Sequence, residues 1–398
     1  GLDDPQTPTV GIAAGGVSAA YVREALRLLE ELQRKEGKAL PAYRFLQVGT
    51  PYPFPDELAC AFLEGLDDVV VFEELDHVIE DGLLRAMGRH GIGCAVVGRT
   101  DGVLRDRGEN TVEDVLSSLA SFFSAFAGAD VSAAARDKGA DAPASDIALP
   151  ARPPVLCAGC PHRGSFYAVK RALGKCEAVL CGDIGCYTLG NAAPLDAVDT
   201  CLCMGAGVTM AQGLQIAEPG VLHFAFIGDS TFFASGIPGV INALYNRTDL
   251  ILIILDNATT AMTGHQPHPG TGVTMMGEVS EKISIEKLLR AAGVERVITA
   301  DPLRIREAAD AVKEVCAGTG VRAVIFRSPC IAKIRPAAPA EIRQDLCIKC
   351  KRCITEIGCP AITAEPGRIQ VDSTLCTGCG LCTGVCPVGA IETGGDAE

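Results

Sequence analysis

The sequence predicts an α/β protein with two parallel sheets, followed by a small cysteine-rich domain. Through residues 9–336, short apolar runs alternate with segments of helical periodicity, which is the pattern of parallel α/β folds. Residues 131–154, rich in Ala, Asp and Pro without periodicity, and Arg335–Ala340 are predicted to be linkers. Beyond the second linker, cysteine recurs at short, regular spacing. The chain is therefore divided into residues 1–130, 155–336 and 337–398.

Composition limits the classes of function. The chain has 398 residues, enough for two to four domains. It is 48% hydrophobic, but its longest apolar run, Leu250–Leu255, is a strand's length, so no membrane span is predicted. A net charge of −14 argues against a nucleic-acid partner, and nineteen cysteines predict a reducing cytoplasm. Because the chain starts with Gly and a strand begins near Thr9, we expect a fragment of a longer polypeptide.

In the first domain, residues with strand character alternate with amphipathic segments. A helix is predicted over Ser18–Glu36, with Ser18 as its N-cap, and another over Asp56–Leu66. The run Pro51–Pro55 is predicted to be an extended loop at the carboxyl end of a strand, because proline excludes helix there. The four predicted strands are Val10–Ala14, Arg44–Val48, Val69–Phe72 and Cys94–Val97.

The second domain carries polar residues where predicted strands end. Its strands are Ala178–Cys181, Leu222–Ile227, Leu250–Leu255, Val297–Thr299 and Ala323–Phe326. The sequence Gly228-Asp229-Ser230 ends one strand, and Asn257 follows the next strand after one intervening helix. Parallel strands end at the same edge of a sheet, so Asp229 and Asn257 are expected to lie side by side. Their oxygens, with a loop carbonyl, are the hard ligands that Mg²⁺ prefers when phosphate oxygens complete its shell.

Glycines support a phosphate site at the same edge. Gly205 and Gly207 precede a predicted helix, where backbone N–H groups can approach phosphate oxygens. A Gly-Asp-Gly sequence followed by Asn after one βα unit is the thiamine diphosphate pattern, although Ser230 stands here in place of the last Gly. The alternative is structural: an Asp that caps a helix and an Asn in a turn.

The tail contains two cysteine runs of the bacterial ferredoxin type, in which the fourth Cys of each run ligates the other cluster. The first run has five residues before its last Cys instead of three, a small loop insertion. Zinc ribbons and disulfides are the alternatives, but zinc favours two CxxC pairs over two triplets followed by Cys-Pro. The predicted ligand sets of the two 4Fe–4S clusters are Cys347, Cys350, Cys353 and Cys386, and Cys376, Cys379, Cys382 and Cys359.

Cysteines in the second domain could complete a third cluster. These are the pair Cys157 and Cys160, then Cys186 and Cys330 at loop or strand ends. Other cysteines are interpreted as buried structural residues. The role of His162 stays open between metal ligation, action on substrate and capping of a helix, with a local structural or cofactor-side role favoured.

Four stretches resemble the large α subunit of indolepyruvate:ferredoxin oxidoreductases. They are Cys157–Arg163, Gly182–Gly190, Gly228–Phe233 and Leu255–Gly270. The resemblance covers nearly the whole chain. It implies a transketolase C-terminal-like α/β domain at 1–130, a thiamine diphosphate domain at 155–336 and a small α+β ferredoxin domain at 337–398.

The resemblance also implies site roles. Asp229, Asn257 and the Thr259 carbonyl would hold Mg²⁺ and the diphosphate. The related pyruvate:ferredoxin oxidoreductases use a CxxC, a Gly-Cys and a later Pro-Cys for a cluster near thiamine, which here would be Cys157, Cys160, Cys186 and Cys330. Further cofactor contacts are expected from Asp183, Gly205, Gly207, Gly228 and Ser230. The family's amino-terminal pyrimidine-binding domain has no candidate in this sequence, so we expect the chain alone to be incomplete as an enzyme.

The activity that the resemblance implies is oxidative decarboxylation of indolepyruvate and other aryl 2-oxo acids, with coenzyme A as acyl acceptor. Electrons would pass singly through the clusters to an external ferredoxin, and a smaller β subunit would be the partner. Three alternatives are another 2-oxo acid substrate, an iron–sulfur electron-transfer subunit without its own catalytic site, and a non-oxidative thiamine decarboxylase. The last would have no use for eight ferredoxin-type cysteines.

Overall fold

The computed structural model of the protein describes residues 8–104, 107–128, 131 and 152–394. The chain divides into two compact units, Gly1–Leu149 and Pro150–Glu398. Most of the predicted linker at 131–154 lies outside the described residues. Among those that are described, no helix is both long enough and apolar enough to cross a membrane.

The first unit is a four-stranded parallel sheet covered by helices on both faces. Its strands are β1 (Val10–Gly15), β2 (Tyr43–Val48), β3 (Asp68–Phe72) and β4 (Ala95–Val97), in the order β2-β1-β3-β4. Its helices are α1 (Gly16–Lys35), α2 (Asp56–Leu63), α3 (Val78–His90) and α4 (Val112–Phe126). Alternate residues of β1 enter different cores: Ile12 packs with α1 and α4, and Ala13 packs with α2 and α3.

One capping prediction in this unit was wrong. Helix α1 begins at Gly16 with Gly15 as its N-cap, and Ser18 is a buried residue of the first turn. Gly16 adopts φ +53°, a left-handed conformation that glycine tolerates, so the chain turns from strand to helix two residues earlier than predicted. The Pro51–Pro55 segment is irregular, as predicted, and follows the carboxyl end of β2.

The second unit contains a five-stranded parallel sheet. Its strands are β5 (Ala178–Cys181), β6 (Leu222–Gly228), β7 (Leu250–Asp256), β8 (Arg296–Ala300) and β9 (Val321–Arg327), in the order β5-β6-β7-β9-β8. Its helices are α5 (Pro161–Leu173), α6 (Ala206–Ala217), α7, α8 (Ile285–Ala292) and α9 (Ile305–Cys316). Helix α7 starts with the turn Asp229–Thr231, passes through a π-helical segment, Phe232–Gly236, and ends in Ile237–Tyr245.

Both faces of this sheet are buried, as expected for strands that read as continuous apolar runs. Phe224 and Phe226 of β6 pack with α5 and α9, whereas Ala225 and Ile227 pack with α6, α7 and α8. The predicted parallel α/β architecture is therefore confirmed.

The cysteine-rich tail packs against helices of the second unit. It contains β10 (Ala340–Ile342), α10 (Arg352–Thr355), β11 (Ile362–Glu365), β12 (Arg368–Val371) and β13 (Ile391–Thr393). Strands β10 and β13 pair antiparallel, as do β11 and β12, which confirms a small α+β tail. Tyr167 of α5 and Ile305 of α9 belong to the same apolar cluster as the tail residues Cys353 and Cys382. The tail is thus joined to the sheet by a shared core.

Candidate functional site

The candidate residues follow four neighbouring strands and lie at one edge of the sheet. Cys186 follows β5, Asp229 follows β6, Asn257 follows β7 and Cys330 follows β9. Gly228 pairs with Leu255 across β6 and β7, so the strand ends are level as predicted. Carboxyl ends of parallel strands are where open α/β sheets bind ligands. A cavity lies at this edge, lined by His162, Cys186, Tyr187, Met204, Gly228, Asp229, Ser230, Asn257, Thr259, Thr260, Met262 and neighbouring residues.

Two buried oxygens in this cavity have no hydrogen-bond partner among the described residues. Asp229 is 3% exposed; its Oδ1 accepts a 2.8 Å bond from the Ser230 amide, while its Oδ2 is unpartnered. The Thr259 hydroxyl is also buried and unpartnered. Leaving a buried polar atom unsatisfied costs about 1–3 kcal/mol, more for a charged one. A carboxylate oxygen left free at such a cost fits a cation that the protein itself does not supply.

Asn257 is held by a strained turn and by a histidine. Between Asn257 and Thr259, Ala258 adopts φ +58°, a conformation that costs a non-glycine residue energy and is often found at functional sites. Asn257 Oδ1 accepts a bond from the Thr259 amide at 3.2 Å, and its Nδ2 lies 3.2 Å from His162 Nε2. The pairing fixes which way the amide points.

His162 is neutral in this environment. The imidazole is 3% exposed, and burial lowers its pKa to about 4. A neutral ring can accept the hydrogen of Asn257 Nδ2 at Nε2. The structure therefore gives His162 a role in orienting Asn257, which agrees with the cofactor-side role favoured from the sequence.

The predicted glycines form the turn before α6. Gly205 adopts φ +89°, and its amide donates a 2.7 Å bond to Asp183 Oδ1. A Cβ on Gly207 would lie 2.4 Å from the Gly182 carbonyl oxygen, so only glycine fits there. Asp183 accepts a second bond, 3.0 Å long, from the Tyr187 hydroxyl at Oδ2. Its carboxylate therefore holds the glycine turn, and its contact with the cofactor stays a prediction.

Ser230, the residue that departs from the Gly-Asp-Gly pattern, also lies at the cavity. Its hydroxyl accepts a 2.8 Å hydrogen bond from the Thr260 hydroxyl. This bond joins the turn after β6 to the turn after β7. Where the pattern has a glycine, which lacks a side chain, Ser230 thus contributes a side-chain hydrogen bond across the site.

His268 was missed as a site residue, although it lies within the stretch that carried the resemblance. Its Nε2 is 3.1 Å from Asp229 Oδ2, and both side chains are 4% exposed. The two atoms are within ion-pair distance but form no hydrogen bond. Its Nδ1 accepts the Gly270 amide at 3.2 Å, which leaves the hydrogen on Nε2, facing the carboxylate. The two histidines of Gly264–Gly270 were the available signal.

Cysteines of the two tail runs are neighbours in the structure, and the crossed ligand sets stay a prediction. Burial, and then the neighbouring thiolates Cys350, Cys347 and Cys386, raise the pKa of Cys353 to about 11. Burial, and then Cys379, Cys359 and Cys376, raise the pKa of Cys382 to about 12. Each group thus contains the distant cysteine of the other run. Thiols packed this closely resist ionisation unless a cation is added, which fits metal–sulfur clusters.

Backbone amides point at tail sulfurs, as is usual around iron–sulfur clusters. The Ala340 amide donates to Cys376 Sγ at 3.3 Å, and the Ala390 amide donates to Cys386 Sγ at 3.2 Å. All nineteen cysteines are free thiols. In the described part of the chain no three His, Cys, Asp or Glu side chains converge as they would around a single ion. A four-iron cluster is larger than one ion, so its thiolates need not converge that closely.

The remaining candidate cysteines lie beside the cavity. After burial, the neighbours that raise the pKa of Cys186 are Cys330 and Cys157, and Cys157 likewise raises the pKa of Cys160. The amide of Cys330 donates a 2.9 Å bond to the Asn257 carbonyl oxygen. Asn257 therefore links the predicted magnesium site directly to the third cysteine group.

Two family matches coincide with these sites. Residues 183–326 match the thiamine pyrophosphate enzyme, C-terminal TPP binding domain, and residues 340–393 match a 4Fe-4S dicluster domain. The first match spans the turns that carry Asp229 and Asn257, and the second spans both tail cysteine runs. The predicted thiamine diphosphate and 4Fe–4S cofactors are thereby supported, independently of the geometry.

Curated relatives cover almost the whole chain. It is 40% identical over 405 residues to indolepyruvate oxidoreductase subunit IorA of Methanothermobacter marburgensis, which covers 99% of this chain and 61% of the relative. For the IorA subunit of Archaeoglobus fulgidus the figures are 38% identity over 393 residues, 96% of this chain and 59% of the relative.

A more distant relative matches a smaller part of the chain. The 2-oxoglutarate synthase subunit KorB of Archaeoglobus fulgidus is 29% identical over 198 residues, which are 46% of this chain and 73% of that subunit. The chain spans about three fifths of the length of the IorA relatives. Over nearly all of its own length, the chain is therefore similar to indolepyruvate oxidoreductase subunit IorA, and it contains a thiamine pyrophosphate binding domain and a 4Fe-4S dicluster domain.

Proposed function

We propose that the complete protein containing this chain oxidatively decarboxylates indolepyruvate and related aryl 2-oxo acids, forming arylacetyl-CoA and CO₂ and passing electrons to ferredoxin. The observation that carries the proposal is that one cavity is lined by Asp229 and Asn257 and also by Cys186. The site for thiamine diphosphate and the site for an iron–sulfur cluster would then be adjacent at one cavity. Such proximity suits an oxidation in which electrons leave one at a time.

We assign magnesium to Asp229 Oδ2, Asn257 Oδ1 and the Thr259 carbonyl, with the diphosphate at the glycine turn before α6. When bound, thiamine diphosphate supplies the carbanion stabilisation that decarboxylation of a 2-oxo acid needs. The chain's own residues bind and orient it: Asp229 contributes charge, and His162 fixes the Asn257 amide. Asp183 holds the turn before α6 by accepting the Gly205 amide.

We assign the cysteines to three clusters. The proximal set is Cys157, Cys160, Cys186 and Cys330, and the tail sets are Cys359, Cys376, Cys379 and Cys382, and Cys347, Cys350, Cys353 and Cys386. The loop that contains Gly159 touches Thr377, so the proximal set adjoins the Cys376 set. Cys350 of the last set is exposed. We therefore propose that ferredoxin receives electrons at the Cys347 set.

The substrate, acceptors and partner follow from the family. We propose coenzyme A as acyl acceptor, an external ferredoxin as electron acceptor and a smaller β subunit as partner, because the relatives named above are called subunits. Nineteen free cysteines favour a reducing compartment, which supports the cytoplasm as the site of action.

The experiment that tests this function is anaerobic reduction of ferredoxin by the full-length protein with its partner subunit, coenzyme A and a panel of 2-oxo acids. Indolepyruvate and phenylpyruvate are expected to give the highest kcat/KM, and omission of coenzyme A should abolish the product thioester. Highest activity on a branched-chain or dicarboxylic acid would contradict the substrate assignment. Ferredoxin reduction that is equally fast with and without each 2-oxo acid would favour the electron-transfer alternative.

The proximal cluster makes a separate prediction about metal content. Three 4Fe–4S clusters correspond to about twelve iron and twelve sulfide per chain, and Cys186→Ser should lower both to about eight. Cys176→Ser, which replaces an exposed cysteine outside the three sets, is the matched control and should keep the full complement. Iron near eight in the unaltered protein would rule out the proximal cluster.

A further inference from the structure

Arg163 places a buried positive charge between two of the cysteine sets. It lies in α5, three residues after Cys160, and is 3% exposed. Its Nη1 donates to the carbonyl oxygens of Ile357 at 2.6 Å and Gly358 at 2.8 Å, and its Nη2 donates to the Leu156 carbonyl oxygen at 2.5 Å. One guanidinium thus joins the segment before Cys157 to the segment before Cys359.

Within the described part of the chain, no carboxylate forms an ion pair with this guanidinium. Burial lowers the pKa of the guanidinium from its usual value, and its ionisable neighbours include Cys359, Cys160, Cys379 and Cys157. Its Nε is buried without a partner among the described residues. Burying a charge is costly unless an opposite charge compensates it. The guanidinium is bonded to backbone carbonyls that adjoin cysteines of two different sets, so clusters bound there would supply the opposite charge.

The two sets are held together tightly at the same place. Gly159, between Cys157 and Cys160, adopts φ +78°, and a Cβ built on it would lie 2.0 Å from Thr377 Oγ1. Thr377 itself lies between Cys376 and Cys379. The two cysteine loops are therefore in direct contact, and Arg163 borders both.

We propose that Arg163 is the shared counter-charge of the proximal cluster and the Cys376-set cluster, and that it raises the reduction potential of both. This rests on the proposed function, because it needs both clusters. Each reduction adds one negative charge, so a nearby cation in a low-dielectric site stabilises the reduced form. An electron lost by one cluster is gained by the other beside the same cation. A shared cation raises both potentials in the same direction, so it favours neither direction of exchange strongly.

The test is an EPR-monitored redox titration of the anaerobically purified, full-length protein. Arg163→Gln removes the charge and is expected to lower the reduced-to-oxidised ratio of these two clusters at least tenfold at fixed potential, equivalent to 59 mV for one electron. The Cys347-set cluster should not shift. Arg163→Lys retains the charge without the guanidinium fork, and its ratios should stay within about twofold of the unaltered protein, a difference small beside 59 mV per decade.

Arg171→Gln is the matched control, because it removes an exposed arginine of the same helix whose Nη1 reaches the Gly384 carbonyl oxygen at 3.4 Å. It should leave all three potentials unchanged. Unchanged potentials in Arg163→Gln, an equal shift of all three clusters, or an Arg163→Lys shift as large as that of Arg163→Gln would each overturn the inference. If Arg163→Gln fails to assemble its clusters, the Arg163→Lys titration decides. Absence of the proximal cluster from the unaltered protein would instead contradict the proposed function.

Discussion

Asp229→Ala is expected to abolish magnesium-dependent binding of thiamine diphosphate. The substitution removes a buried oxygen that accepts no hydrogen bond within the described protein, and with it the only full charge among the three ligands assigned to the cation. Changes to groups that merely orient a metal ligand typically cost about 10- to 100-fold in affinity, so loss of a ligand should exceed 100-fold. Calorimetric titration of the full-length protein with thiamine diphosphate and Mg²⁺ measures this directly.

Asp256→Asn is the matched control, since Asp256 ends the adjacent strand at the same sheet edge. Its Oδ2 pairs with Arg327 Nε at 2.7 Å, and the residue is absent from the lining of the Asp229 cavity. The control should bind thiamine diphosphate within about threefold of the unaltered protein, because exposed ion pairs contribute about 0–1 kcal/mol. Iron content should be normal in both variants. Equal affinity in Asp229→Ala and the unaltered protein would refute the magnesium assignment.

Most of the fold could be predicted from hydrophobic periodicity and from the residues at the ends of strands. The apolar runs are long enough to identify every strand of both parallel sheets, because buried parallel strands are apolar on both faces. Boundaries were less predictable. A serine near a helix start is a common cap, but α1 begins at Gly16, whose positive φ turns the chain from β1 into the helix. Likewise, the π-helical segment Phe232–Gly236 follows no local signal in the sequence.

The site could be predicted where spacing alone determines position. Asp229 and Asn257 follow adjacent strands, so their proximity needs only the parallel topology. The hydrogen bonds of Asp183 within the protein could not be predicted from spacing, because they depend on how the Gly205 turn folds back. His268 lies in a loop far from Asp229 in the sequence, so hydrophobic periodicity could not predict their contact. The position of Arg163 could not be predicted either, because its bond to the tail forms only when the tail packs against α5.

Gly159→Ala is expected to destabilise the contact between the proximal cysteine loop and the tail by about 2–5 kcal/mol. A left-handed conformation costs a non-glycine residue about 1–2 kcal/mol, and overpacking a filled site costs about 1–3 kcal/mol more. The new methyl group would collide with Thr377 Oγ1 and press on the Ile331 side chain, 3.1 Å from the ideal Cβ. The measurement is the thermal midpoint of the anaerobic holoprotein, together with iron retained after gel filtration.

Gly213→Ala supplies the control, because Gly213 is an exposed residue of α6 with nothing within 4 Å of its ideal Cβ. It should stabilise the protein by about 0.5–1 kcal/mol, the usual gain when alanine replaces glycine in a helix. The double variant Gly159→Ala with Thr377→Ala removes the nearest colliding atom but keeps the backbone strain. It should therefore recover the steric part of the loss and no more. If Gly159→Ala retains the original midpoint and all its iron, the two cysteine loops are not packed against each other, and direct electron exchange between their clusters loses its structural basis.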